Sequence, residues 1–214
     1  MSDIFREVDE DLRRDRMERV FKRYGGIMLA AALAVVAATG GTVAWRNWQQ
    51  SQKESGTTAL AAALSQAAQG PDKGVEALAA FATKADPGMA ALAQLNAAAL
   101  LAREGKTAEA VAVYDTLSNN AGAAAVYREL AALLSVMHQL ESGDPAQLQA
   151  RLQPLTADAN PWRFSAREMS AVLAARAGDK ERARTLFQQL ADDSQAPAGV
   201  RSRAADLATL YGKS

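Results

Sequence analysis

The side chains that could perform acid–base, nucleophilic or metal chemistry are few and scattered in this chain. It contains no cysteine and one histidine, His138, which excludes thiol catalysis, cysteine-based metal sites and sites with several histidines. We interpret His138, in the apolar run Val136–Leu140, as a packed structural residue, and the acidic cluster Glu7–Asp11, beside arginines, as solvated. No glycine-rich phosphate loop, HExxH or GxSxG motif occurs. The residues predict a non-enzymatic protein without metal, cofactor or small-molecule substrate.

The composition indicates a helical protein. Alanine dominates, aromatic residues make up only 6%, and glycine and proline are few, which favours close-packed helices over sheets. The formal net charge is zero, which argues against a general nucleic-acid binder. We therefore predict an all-α protein with no nucleic-acid partner.

An uncharged stretch lies near the amino terminus. Residues 25–45 read GGIMLAAALAVVAATGGTVAW, with no charge between Arg23 and Arg46. As a helix, this stretch would rise ~31 Å, about the thickness of the hydrocarbon core of a bilayer. The sequence therefore predicts a single transmembrane helix. The predicted domains are a charged leader helix, the transmembrane helix and a repeat-like domain, at residues 1–23, 24–46 and 47–214.

The flanking charges predict the orientation of this helix. Six basic residues lie between Arg13 and Arg23, whereas only Arg46 and Lys53 follow closely on the other side. The positive-inside rule then places the amino terminus in the cytoplasm and exports the carboxy-terminal domain. The residues predicted at the membrane interface are Arg23, Trp45 and Trp48. A signal peptide cleaved near residues 42–44 is the alternative.

Turn residues recur at a regular interval after residue 54. Asp72, Gly105, Gly143 and Gly178 are spaced by 33, 38 and 35 residues, and a period near 34 is typical of tetratricopeptide repeats. Five and nine residues after a turn residue stand a small and a large residue, as in the pairs Ala110/Tyr114 and Ala183/Phe187. This pattern predicts an α-solenoid of about four tetratricopeptide-like helical hairpins, closed by a capping helix at Ala198–Tyr211.

The predicted hairpins each have a first and a second helix. The first helices are predicted at Ser55–Gln69, Gly88–Arg103, Ala123–Glu141 and Pro161–Ala177. The second helices are predicted at Lys73–Lys84, Thr107–Ser118, Pro145–Thr156 and Lys180–Asp192. Because first helices line the concave face of such an array, we predict an apolar protein-binding groove there, formed by Leu92, Leu95, Leu130, Leu133, Met137 and Leu140. The alternative is that these side chains pack within the domain.

Three sequence features carry a resemblance to a known family. They are Trp45-Arg46-Asn47-Trp48 after the uncharged stretch, the segment Gly88–Ala93 opening a helix, and the segment Ala175–Arg184 near the end. In their order and spacing, over nearly the whole chain, they resemble the ancillary SecYEG translocon subunit family. Members of that family are bacterial inner-membrane proteins with one amino-terminal span and a periplasmic tetratricopeptide-like domain.

The resemblance implies a function and a location. It implies a membrane-anchored periplasmic scaffold, single-pass in the inner membrane, that associates with the SecYEG channel. It also implies that the scaffold holds or hands over exported proteins together with periplasmic chaperones. The family supplies no catalytic motif. The alternative, from the residues alone, is a structural tether that links complexes of the cell envelope or of division.

Overall fold

A computed structural model describes residues 34–48, 50 and 54–212 of the chain. All regular secondary structure in these ranges is helical, so the predicted all-α character is confirmed. The chain divides into two units between Ser55 and Gly56. In the first unit, residues 34–48 form an exposed helical segment that carries Trp45 and Trp48.

The predicted fold class included a transmembrane helix, and the structure corrects this prediction. Within residues 34–48, 50 and 54–212, no helix has both the length and the apolar character that crossing a membrane requires. The leader and residues 24–33 lie outside the described residues, so the predicted localisation stays a prediction.

The second unit is a succession of helices joined by short turns. Residues 54–66, which we call α1, are helical and are followed by a 3-10 turn at Ala67–Gln69. The helices that follow are α2 (Pro71–Ala82), α3 (Pro87–Arg103), α4 (Thr107–Ser118), α5 (Ala125–Gln139), α6 (Pro145–Leu152, then a 3-10 turn at Gln153–Thr156), α7 (Arg163–Arg176), α8 (Lys180–Asp192) and α9 (Ala198–Gly212). From α2 onward, the predicted helix bounds agree with these to within about two residues, except that α6 ends at Leu152 and only the 3-10 turn extends to the predicted end at Thr156.

Aspartates and glycines at the turns explain where the helices start and stop. Asp86 caps α3 by accepting hydrogen bonds from the backbone N–H groups of Gly88 and Met89, at 3.0 and 3.1 Å. Gly105 and Gly178 have φ values of 75° and 86°, a left-handed conformation that suits glycine at the end of a helix. These caps end one helix and begin the next within a short turn. Consecutive helices therefore lie side by side.

The core is divided among four clusters, each of which joins three consecutive helices. The first lies between α1, α2 and α3, the second between α3, α4 and α5, the third between α5, α6 and α7, and the last between α7, α8 and α9. The odd-numbered helices also contact one another, α3 with α5, α5 with α7 and α7 with α9. Each of α3, α5 and α7 therefore contributes to two clusters on different sides of its axis.

The small-then-large pairs of the repeat lie inside these clusters. Ala110 and Tyr114 are buried between α3, α4 and α5, and Ala183 and Phe187 are buried between α7, α8 and α9. Both alanines of the small-then-large pattern are thus buried where helices meet.

Polar side chains connect positions about one repeat apart. Lys106 Nζ lies 2.6 Å from Asp72 Oδ1, 34 residues earlier, and Asp72 raises the pKa of the lysine ammonium. Arg203 Nε donates to Glu168 Oε1 at 2.9 Å, across 35 residues. Arg176 donates to the backbone carbonyl oxygens of Leu140 and Gly143. The bonds of Lys106 and Arg176 join equivalent turns of neighbouring hairpins, whereas the bond of Arg203 joins the middle of α9 to the middle of α7.

Candidate protein-binding cleft

An apolar cleft of about 410 Å³ lies between α3 and α5. Helix α3 presents one stripe to it at positions i, i+4, i+7 and i+8, and α5 presents a second stripe at i, i+3 and i+4. Helix α4 adds one aromatic side chain between them. The lining residues are Leu95, Ala99, Ala102 and Arg103 from α3, Tyr114 from α4, and Leu134, Met137 and His138 from α5.

Two stacked rings connect α4 to α5 at this cleft. The centroids of the Tyr114 and His138 rings are 5.7 Å apart, and the ring planes differ by 10°. Tyr114 is almost fully buried, and burial raises the pKa of its phenol because the charged phenolate is poorly solvated there. The stack therefore forms a firm, aromatic part of the wall.

The lining of the cleft is open to an incoming molecule at Met137 and Arg103. Met137 is 39% exposed, which is unusual for a large apolar side chain in this unit. Arg103, the last residue of α3, is also exposed, and no hydrogen bond or ion pair of its side chain is found within the described part of the chain. Such a cleft can take up apolar side chains, since methionine and small alanines adapt to different shapes.

Two of the six residues predicted to bind proteins, Leu95 and Met137, line this cleft together. Leu133, in contrast, is buried in the cluster between α5, α6 and α7, where it packs with residues such as Leu148. The remaining three, Leu92, Leu130 and Leu140, are half-buried and lie outside the lining. Whether any of the six binds a protein stays a prediction.

Sequence reasoning missed three of the lining residues with distinctive chemistry. His138 was interpreted as structural, Tyr114 was noted only as the large residue of the repeat, and Arg103 only as the end of a helix. A signal was present, because Arg103 lies eight residues after Leu95 and therefore on the same face of α3. His138 likewise lies four residues after Leu134 on α5.

The residues predicted at the membrane interface belong to the first unit. Trp45 and Trp48 are both exposed, and their ring centroids are 5.4 Å apart with planes tilted by 43°. Arg23 lies outside the described residues. The predicted interface role of these three residues stays a prediction.

No protein-family model matches the chain, and no curated protein and no solved structure matches it either. Within the described ranges, no group of three or more acidic or histidine side chains could hold a metal ion. The function is therefore proposed from the side chains of the cleft and from the resemblance of the sequence.

Proposed function

We propose that this protein is a non-enzymatic scaffold that binds other proteins through the cleft between α3 and α5. The single observation that carries the proposal is the composition of the cleft lining, which has apolar or aromatic side chains at all positions but Arg103 and His138. Grooves of this kind bind apolar anchor residues of a partner segment.

The packing of the array favours this use of the cleft. The two helices that form its walls both pack into the core. Leu101 on α3 and Ala131 on α5 are buried in the same core cluster. A rigid wall loses little conformational entropy when a partner binds, so a modest apolar contact is sufficient for recognition. Met137 and Arg103 are the adaptable side chains of the lining.

We further propose, from the resemblance of the sequence, that the partners are proteins of the export route. They would be the SecYEG channel, exported proteins that emerge from it, and periplasmic chaperones that receive them. The features Trp45–Trp48, Gly88–Ala93 and Ala175–Arg184 support this part of the proposal.

Site-specific photo-crosslinking in living cells tests the proposal. A photoreactive phenylalanine analogue replaces Met137, which lines the cleft, or Ala112, which is exposed on α4 outside the lining, in the full-length chain. We expect crosslinks to channel subunits or exported proteins from position 137 and none of these from position 112.

The possible results separate the proposal from its alternative. Crosslinks from position 137 only to cell-wall or division proteins would support the tether. Equal crosslinking from both positions, or none from position 137, would refute the cleft as the binding site.

A further inference from the structure

We propose that the cleft selects apolar segments that carry an acidic side chain, whose carboxylate binds Arg103. This inference rests on the proposed function and names the chemical class of the partner segment. The observation behind it is the charge of the lining: two side chains, Arg103 and His138, can carry a positive charge, and none carries a negative charge.

Arg103 has the donors that a carboxylate needs. Its planar guanidinium offers five N–H groups, two of which can bind both oxygens of one carboxylate. No acidic side chain in the described part of the chain is paired with it. His138, across the cleft on α5, adds a ring N–H in either neutral tautomer.

The acidic residues nearest to this position in the sequence lie outside the lining of the cleft. Glu104 follows directly in the chain but is not part of the lining, and Glu141, three residues after His138, is not part of it either. Lys106 is bound to Asp72 at 2.6 Å, on the side of the preceding hairpin. Arg103 is therefore the one residue of the cleft lining whose side chain is permanently charged.

The position of Arg103 sets the spacing of the expected motif. Leu95 and Arg103 are eight residues apart on α3, which corresponds to about 12 Å along the helix axis. An extended segment advances about 3.3 Å per residue, so roughly four residues cover this distance. We expect a short apolar run followed at once by a glutamate or aspartate.

A pair of synthetic peptides tests this inference with the full-length protein. The probe is acetyl-Leu-Val-Leu-Ala-Glu-Gly-amide carrying an uncharged dye, and its partner has glutamine in place of glutamate. Fluorescence anisotropy should give a Kd for the glutamate peptide that is about tenfold lower, a difference of about 1.4 kcal/mol. This preference should shrink as salt is raised, because an exposed charge pair is screened.

Three variants show whether Arg103 is responsible. In Arg103→Gln the two peptides should bind with nearly equal Kd values, and in Arg103→Lys the preference should fall to about threefold, because a lysine cannot make the planar paired contact. Arg184→Gln, which removes an exposed arginine on α8 outside this cleft, should keep the full tenfold preference. Circular dichroism verifies that each variant is folded.

The results distinguish a failure of this inference from a failure of the proposed function. Equal binding of both peptides to the wild-type protein would overturn the carboxylate preference and leave the cleft as an apolar binding site. A preference that survives in Arg103→Gln would overturn the role of Arg103. If neither peptide binds, this inference is overturned, and photo-crosslinking at position 137 separately decides the proposed function.

Discussion

Ser135 Oγ on α5 donates a hydrogen bond of 2.6 Å to Asp115 Oδ1 on α4, in the interior of the array. The same hydroxyl accepts from Gln139 Nε2 at 3.1 Å and from Arg151 Nη2 of α6 at 3.2 Å, and Arg151 also binds Asp115. Ser135 is fully buried, so its hydroxyl depends on these partners for all its hydrogen bonds. One serine thus joins three helices.

We expect Ser135→Ala to lower the free energy of unfolding by about 1–2 kcal/mol, because it removes the three hydrogen bonds of a buried hydroxyl and leaves their partners less well satisfied. Urea unfolding of the full chain measures this change. Thr116→Ala is the matched control, since the Thr116 hydroxyl is exposed and bonds only to the carbonyl oxygen of Ala112 within its own helix. A Ser135→Ala variant as stable as the control would show that the Ser135 hydroxyl contributes nothing to stability.

Ala183→Leu should overpack the interface between α7, α8 and α9. Ala183 is fully buried, and the added atoms would force its neighbours to move, at a cost of about 1–3 kcal/mol. Thermal unfolding should show a lower Tm for this variant. Ala205→Leu on α9 is the control, because that side chain is exposed and should accept a leucine without loss. Equal melting temperatures would mean that the interface has room for a larger side chain.

Met137→Glu should leave the fold intact and Leu133→Glu should disrupt it, although the two residues are one helical turn apart. Met137 is exposed in the cleft, so a glutamate there stays hydrated, whereas Leu133 is buried and a glutamate there would have no partner. We expect a folded Met137→Glu protein that binds the dye-labelled glutamate peptide more weakly in fluorescence anisotropy, and an unfolded or aggregated Leu133→Glu protein. Circular dichroism and gel filtration compare them. A folded Leu133→Glu variant would contradict the burial of this residue.

Tyr114 should make the protein sensitive to alkaline pH. Burial raises its pKa above the ordinary value of about 10, so the unfolded chain loses the phenol proton at a lower pH than the folded one. The contribution of Tyr114 is fully present below about pH 10 and is lost as the pH rises through the higher, folded pKa. Tyr114→Phe should therefore lose less stability than the wild type as the pH rises above about 10, measured by urea unfolding. Parallel pH curves would contradict this expectation.

Much of the helical array could be predicted from the spacing of its turns. The capped starts and left-handed glycines are local features, so helix bounds followed from residues such as Asp144 before Pro145 and Gly178. The first turn was misplaced, because Gly70, with a φ of 141°, rather than Asp72 marks it; the interval to Gly105 is then 105 − 70 = 35 residues. Asp72 lies within α2 and instead binds Lys106.

The sequence does not show which neighbouring helices each apolar residue of a hairpin's first helix contacts. Leu133, Leu134 and Met137 all belong to the broad apolar face of α5, and periodicity shows only that this face is covered. In the structure α5 divides its residues between two clusters, Leu133 towards α6 and α7 and Leu134 towards α3 and α4. That division depends on how the helices cross, which is a long-range property.

The polar bonds between neighbouring hairpins have a consequence for how such a chain can be rearranged. The junctions use different contacts: Lys106 pairs with Asp72 and Arg151 with Asp115, while Arg176 binds backbone carbonyl oxygens at the third junction. Arg203 pairs with Glu168 where the last hairpin meets α9. If the order of the hairpins were changed, these charged side chains would face positions that do not carry their ion-pair partners. The hairpins are therefore not identical modules, and a duplicated hairpin would lack one of these contacts, at a modest cost in stability because exposed ion pairs contribute little.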